Sequence, residues 1–397
     1  MSYSTVCGTV KPGFEAVRKT FAENFERRNE LGAACCIYYR GEKVVDLWGG
    51  IRDESTGEPW EEDTMVLVAS TTKGLAGLGM ALAHSRGLID YDERVSTYWP
   101  QFAQQGKERI TIRQLLAHQA GLYALDQRLD AETVVDLDRL AEVLARQKPA
   151  WEPGTRQGYH AVTIGFYEGE ILRRVDPKHR SLGQFFQDEI ATPLGLEFYI
   201  RLPEETPNTK LAPIVRFTMA DAISGIFVTP LFVLSTMTSR SRIRRSLLGS
   251  ELPIEASKGG IYARNLEVPA GGGVGTARAI AKAYSVFAMG GKELGLRDVT
   301  LSELMASAQP SKHAFYDECL KTETRFSLGF AKLGDTNELF GDSSSFGALG
   351  SGGSCGYADP HSRIGYAYVM NRMKARLVDP RDEALRKAMY RSIRNIG

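Results

Sequence analysis

Cysteine is scarce in this chain and carries no pattern. Five cysteines (Cys7, Cys35, Cys36, Cys319 and Cys355) fall among 397 residues, an odd number without metal-ligand spacing. That argues against a disulfide framework and for free thiols in a reducing compartment. An excess of charge of one sign is also missing. The 49 basic and 48 acidic residues leave a net charge of +1, so nothing recommends nucleic acid as a dedicated partner. No apolar run is long enough to span a bilayer, and the longest, Ala222 to Leu234, contains Pro230. The segment Met1 to Lys11 has no basic stretch leading into an apolar one. No signal peptide, no stable membrane anchoring and a cytoplasmic location are therefore expected. The six histidines lack metal-ligand spacing, so neither metal nor cofactor is expected. Internal repeats and low-complexity segments are absent.

What remains is ordinary globular composition, 43% hydrophobic and 24% charged. The length suits two or three domains, or one large core with an insertion. Residues 13–29 read as an amphipathic helix, with Val17, Phe21 and Phe25 at four-residue spacing. Residues 33–39 and 44–50 read as strands joined by the turn Arg40 to Lys43. A second hairpin is predicted from 356–359 and 364–371 around Pro360 to Arg363, followed by a closing helix over 380–396. Between roughly 70 and 260 the patterns are mostly helical: 110–118, 131–147, 161–174 and 181–193. Strands at both ends and helices between them imply an α+β sandwich, an antiparallel sheet flanked by helices. Residues 1–68 and 260–397 would form the sheet domain, and 69–259 a mostly helical one. Arg240, Arg242, Arg244 and Arg245 read as the solvated basic edge of a surface loop or pocket flap.

The chemistry is carried by Ser70-Thr71-Thr72-Lys73, the sole Ser-x-x-Lys in the chain. Residues three apart share a helix face, so the hydroxyl and the amine become neighbours. A desolvated lysine can take the proton that makes serine nucleophilic. The run after it, Gly74 to Ala83, is apolar or small on every side, which marks a buried helix. Gly74, Gly77 and Gly79 weaken that helix unless neighbours pack closely against it. The helix should end at Arg86-Gly87, with glycine at the C′ position. Ser70 would then sit in the first turn, where free N–H groups and the dipole favour an anion. The commonest role of serine at such a place is an N-cap, and this segment alone leaves both roles open.

A second proton-transfer group is offered by Trp151-Glu152-Pro153-Gly154-Thr155-Arg156-Gln157-Gly158-Tyr159. A lysine ammonium beside a tyrosine favours phenolate, so Tyr159 could take the Ser70 proton and later activate water. Gly158 is expected to supply an unusual backbone conformation before it. His160, the next residue, would point elsewhere and suits a structural or pocket-lining role. The glycine-dense run Phe346 to Gly356 lets a backbone approach a ligand closely. An N–H from it, paired with that of Ser70, would make an oxyanion hole. Within that run Gly352-Gly353-Ser354-Cys355-Gly356 matches G-x-S-x-G, which requires a helix after the serine. A strand is predicted there instead, so Ser354 reads as a loop serine whose loss should matter little.

Taken together and in this order, these elements resemble the serine β-lactamase and penicillin-binding-protein superfamily. The chain looks most like its esterase branch, the family VIII carboxylesterases similar to class C β-lactamases. Ile112 to Leu122 is similar to the family's L-L-x-H-x-S-G-L block, and Trp151 to Tyr159 to its W-x-P-G…Y block. Leu88 to Val95, Gly275 to Arg278 and Tyr357 to Pro360 also fit. The resemblance implies Ser70 as nucleophile, Lys73 and Tyr159 as the proton-transfer pair, and the Ser70 and Ser351 amides as the oxyanion hole. Leu349, Gly350 and His160 are candidate substrate-binding residues. Two positions depart from the lactamase pattern. Ala161 stands where Tyr-x-Asn has asparagine, and Ala348 where Lys-Thr-Gly has lysine. Alanine offers no charge and no hydrogen bond, which favours neutral esters over anionic lactams. The expected activity is a serine carboxylesterase on a small-molecule ester, acting as a monomer or homo-oligomer. A β-lactamase, D-amino-acid peptidase or transacylase of the same fold is the alternative.

Overall fold

A computed structural model describes residues 6–217, 241–248, 261–334, 340–376 and 378–396. The apolar run Ala222 to Leu234, and Arg240, lie outside the described residues. The principal strands are β1 (Cys7–Val10), β2 (Gly32–Tyr39), β3 (Glu42–Asp53), β4 (Phe326–Ser327), β5 (Phe330–Ala331), β6 (Phe346–Leu349), β7 (Cys355–Asp359) and β8 (Ile364–Met370). Among the helices are α1 (Glu15–Arg27), α2 (Thr72–Ser85), α3 (Thr163–Val175), α4 (Arg242–Leu248), α5 (Ala277–Ala288) and α6 (Pro380–Ile396).

The strands make one antiparallel sheet in the order β1-β3-β2-β8-β7-β6-β5-β4, with Glu58–Pro59 paired to β3. The two ends of the chain meet at its centre, where β8 pairs β2 from Ile364↔Tyr39 to Met370↔Ala33. Period-two alternation sorts the side chains. Ile364, Tyr366, Tyr368 and Met370 face the layer of α1 and α6, together with Val17, Phe21, Leu385 and Met389. Ala367 and Val369 face α2 and α5. The small residues on that second face bring the helix close. A Cβ on Gly365 would lie 2.4 Å from the Ala281 carbonyl oxygen, and one on Gly356 2.5 Å from Ile280. The result is an α+β fold of helix, sheet and helix layers. No helix among the described residues is long and apolar enough to cross a membrane.

The β2–β3 turn is tighter than the expected four residues. Tyr39 pairs Glu42 directly, and Arg40 (φ 54°) and Gly41 (φ 81°) are both left-handed, as a two-residue type I′ turn requires. The helix predicted over 131–147 is two, Ala131–Val135 and Leu137–Arg146. Asp136 breaks it by accepting from the Arg139 N–H at 3.0 Å, capping the second piece. The segment 181–193 is helical but carries a π turn at Gln187–Ala191.

Candidate active site

Helix α2 crosses the molecule with all but one of its residues, His84, buried. It is introduced by the strand Met65–Leu67 and a 3₁₀ turn over Ala69–Thr71. Its C-terminus is the glycine cap expected: the Gly87 N–H reaches the His84 carbonyl at 2.9 Å and the Leu88 N–H that of Ala83 at 3.0 Å. The helix glycines divide. A Cβ on Gly74 would meet Tyr284 Oη at 1.8 Å, and one on Gly77 the Phe330 ring at 2.8 Å, whereas Gly79 has open space. Close packing therefore accounts for two of the three.

Ser70 does not act as a cap, since neither the 3₁₀ turn nor α2 has a side-chain cap bond. Ser70 Oγ instead accepts from Lys73 Nζ at 3.0 Å. Lys73 is 4% exposed and donates twice more, to the carbonyls of Ala161 at 2.6 Å and Ala270 at 2.7 Å. Three acceptors match the three protons of an ammonium. The residue before Ser70, Ala69, is held at φ 45°, a left-handed conformation that L side chains seldom adopt and that clusters at working sites.

Lys73 Nζ lies 4.9 Å from the centre of the Tyr159 ring. That half-buried ring stacks on Phe326 at 5.4 Å and meets His118 edge-on at 5.1 Å. Its backbone is pinned on both sides. The Tyr159 N–H donates to Asp317 Oδ1 at 3.2 Å, and its carbonyl accepts from Ser246 Oγ at 2.6 Å. Gly158 is needed for a reason other than the one expected. Its backbone is not left-handed; a Cβ there would sit 2.5 Å from the Trp151 ring.

His160 has to be reassigned from substrate contact to scaffold. It is fully buried, its Nε2 accepts the Leu122 N–H at 3.1 Å, and its N–H donates to His118 Nδ1 at 3.1 Å. Burial pushes its imidazole down to about 3 and holds His118 well below the ordinary histidine value, His160 and Lys73 adding to the latter. Neither ring is a base at neutral pH. Glu168 on α3 is another buried group. Both its oxygens are without a partner among the described residues, and burial raises its carboxyl to about 8 against the opposing pull of Lys73.

The glycine run reaches the Ser70 turn from the sheet. Ala348 in β6 lies against α2, since a Cβ on Gly74 would be 3.3 Å from its own. Gly350 is pressed onto the turn itself: a Cβ there would meet the Val68 carbonyl oxygen at 2.3 Å. Leu349 is half-buried and Ser351 exposed at the rim. Ser354 is followed by β7 and not by a helix, which removes the nucleophile elbow. It is more than a loop serine, however. Its buried hydroxyl donates to the Val68 carbonyl at 2.8 Å and pairs with Thr71 Oγ1 at 3.0 Å, fastening the glycine run to the turn that holds Ser70. Two of the arginines, Arg242 and Arg245, are held in ion pairs at a partly solvated edge. Arg242 pairs with Glu318 at 2.6 Å and covers the Trp151 ring, and Arg245 pairs with Asp126 at 2.6 Å. Asp317, Ser246, Phe326 and the Ala270 carbonyl escape the sequence reading. Only His118, inside the L-L-x-H block, left a signal there.

A serine and a lysine in one helical turn, with a tyrosine over the amine at the edge of an antiparallel sheet, define a serine hydrolase of the β-lactamase fold. The chain belongs to the β-lactamase family, whose model matches residues 17–389. It is 31% identical to the esterase/β-lactamase LipL of Mycobacterium tuberculosis over 374 residues, 94% of this chain and 84% of LipL. Among solved structures it is similar to a family VIII carboxylesterase (35% identity, TM-score 0.83), covering 98% of this chain and 100% of the other. A penicillin-binding-protein homologue from Caulobacter crescentus is 32% identical with a TM-score of 0.81, over 98% and 100% of the two chains.

Proposed function

We propose that this chain is a serine carboxylesterase that cleaves short- to medium-chain carboxylic esters through an acyl-enzyme on Ser70. The observation that carries the reading is Lys73 Nζ, 3.0 Å from Ser70 Oγ and 4.9 Å from the Tyr159 ring. Tyr159, entering as the phenolate, takes the serine proton and is left neutral as Oγ attacks the ester carbonyl. The Lys73 ammonium, 3.0 Å from Oγ, stabilises the negative charge that passes to the serine oxygen and on to the carbonyl oxygen. The Ser70 and Ser351 N–H groups receive the developing oxyanion. Tyr159 returns the proton to the departing alkoxide, then activates the water that releases the acid.

Ala348 and Ala161 favour a neutral ester over a lactam carboxylate, because neither offers a cation or a side-chain hydrogen bond at those places. The test is hydrolysis of short and medium p-nitrophenyl esters beside a chromogenic cephalosporin, by wild type and Ser70→Ala. Ester turnover that vanishes in the variant, with little cephalosporin turnover, is the expected result. Cephalosporin turnover equal to or faster than ester turnover would hand the assignment to a β-lactamase.

A further inference from the structure

We propose that Ser246, presented by the arginine-rich helix α4, is a positioning residue for proton transfer at Tyr159. The proposal rests on the reading of Tyr159 as the proton-transfer group. One hydroxyl makes two bonds to the same short loop. Ser246 Oγ donates to the Tyr159 carbonyl at 2.6 Å and accepts from the Ala161 N–H at 3.1 Å. With its single proton and its lone pairs the serine spans the loop completely. Ala161 in turn gives its carbonyl to Lys73 Nζ at 2.6 Å, and Tyr159 sets its ring 4.9 Å from the same atom. Both contacts that the loop makes with the catalytic lysine therefore come from a residue whose main chain is bonded to Ser246.

Two arginines of α4 tie it to neighbouring segments. Arg242 pairs with Glu318, which also binds Arg156 at 2.5 Å, and lies over the Trp151 ring 5.6 Å from its centre. Trp151 is the side chain against which Gly158 must be bare. Arg245 reaches Asp126 at 2.6 Å. Ser246 is buried, so its hydroxyl has no water to turn to when the loop shifts. Ala161, which has no side-chain amide of its own, takes its polar support from α4.

Removing the hydroxyl lets Tyr159 and the Ala161 carbonyl drift relative to Lys73. Displacements on the order of 1 Å cost about a hundredfold in rate. The experiment measures kcat and KM for a p-nitrophenyl ester with Ser246→Ala, Ser246→Thr and Ser246→Val, each also combined with Tyr159→Phe. Thr and Val have the same shape and differ in the hydroxyl alone, so their ratio stands even where the added methyl weakens folding. The expected result is a roughly ten- to hundredfold loss of kcat in the Ala and Val variants with KM within about threefold. Thr should recover most of the loss, and the loss should shrink several-fold once Tyr159 is phenylalanine, the remainder coming from the Ala161 carbonyl. Ala and Val variants with wild-type kcat, or a loss of the same size in the Tyr159→Phe background, would overturn the positioning role and leave Tyr159 as the proton-transfer group. A Tyr159→Phe enzyme that keeps the full rate would overturn the underlying reading and the proposal with it.

Discussion

Gly74 follows Lys73 and begins the packed part of α2, so Gly74→Ala is a sharp test of how the site is held. A methyl there would lie 1.8 Å from Tyr284 Oη but 3.1 Å from the ring carbon bearing it. The first separation is impossible; the second is tight and can relax by a few tenths of an ångström. Tyr284 Oη is buried and without a hydrogen-bond partner among the described residues, so it has little to lose by removal. Overpacking of this kind costs about 1–3 kcal/mol, set against a gain of about 1 kcal/mol when alanine replaces glycine within a helix. Gly74→Ala alone should therefore be net destabilising by up to about 2 kcal/mol. In a Tyr284→Phe background the 1.8 Å clash is gone, while the 3.1 Å ring contact and a 3.3 Å contact with the Ala348 Cβ remain. The helix gain offsets them, so the same substitution should cost much less than it does with tyrosine. Denaturant midpoints of the four proteins give the coupling, and ester turnover tracks whether the Lys73 turn has moved. Turnover should fall in Gly74→Ala and return in the double variant. Equal effects of Gly74→Ala with tyrosine and with phenylalanine at 284 would refute the reasoning.

Two further outcomes are expected. Ser354→Ala strips a buried partner from the Val68 carbonyl and from Thr71; it should cost about 1–3 kcal/mol in denaturant unfolding while ester turnover survives. Complete loss of turnover in a folded Ser354→Ala protein would return the nucleophile to that serine. Stability should also depend on pH from both directions. His160 is pushed down to about 3 in the folded chain. Its contribution is present above the ordinary histidine value and is lost by about 1.4 kcal/mol per pH unit between pH 6.5 and 3. Glu168 is raised to about 8, so its contribution is present below pH 4.5 and lost at about the same slope up to pH 8. Unfolding titrations should show that His160→Gln lessens the acid slope, which the buried His118 shares, and that Glu168→Gln lessens the alkaline one, which buried Glu30 and Glu267 share. Unchanged profiles in both would refute the burial argument.

The sequence by itself determined what depends on neighbours along the chain. A serine and a lysine three apart must face one another once helical, and they do. The glycine at the C′ position of α2, the two hairpins and the all-apolar surface of α2 follow from local periodicity and backbone freedom. So does the absence of a helix after Ser354, which disposed of a competing motif. Only the tertiary structure decided which residues meet these. Ala161 and Ala270 lie 88 and 197 positions from the lysine they bind. Ser246 lies 87 positions from the tyrosine it supports. Contacts of that range leave no period in the sequence, because they depend on how far each loop travels before it returns. The same limit explains the reassignments. His160 and Gly158 sit beside Tyr159 in the chain, but burial against Leu122 and the Trp151 ring, not adjacency, sets what each can do. The chemistry of the site was written locally, and its geometry is imposed by chain segments from far away that close around one lysine.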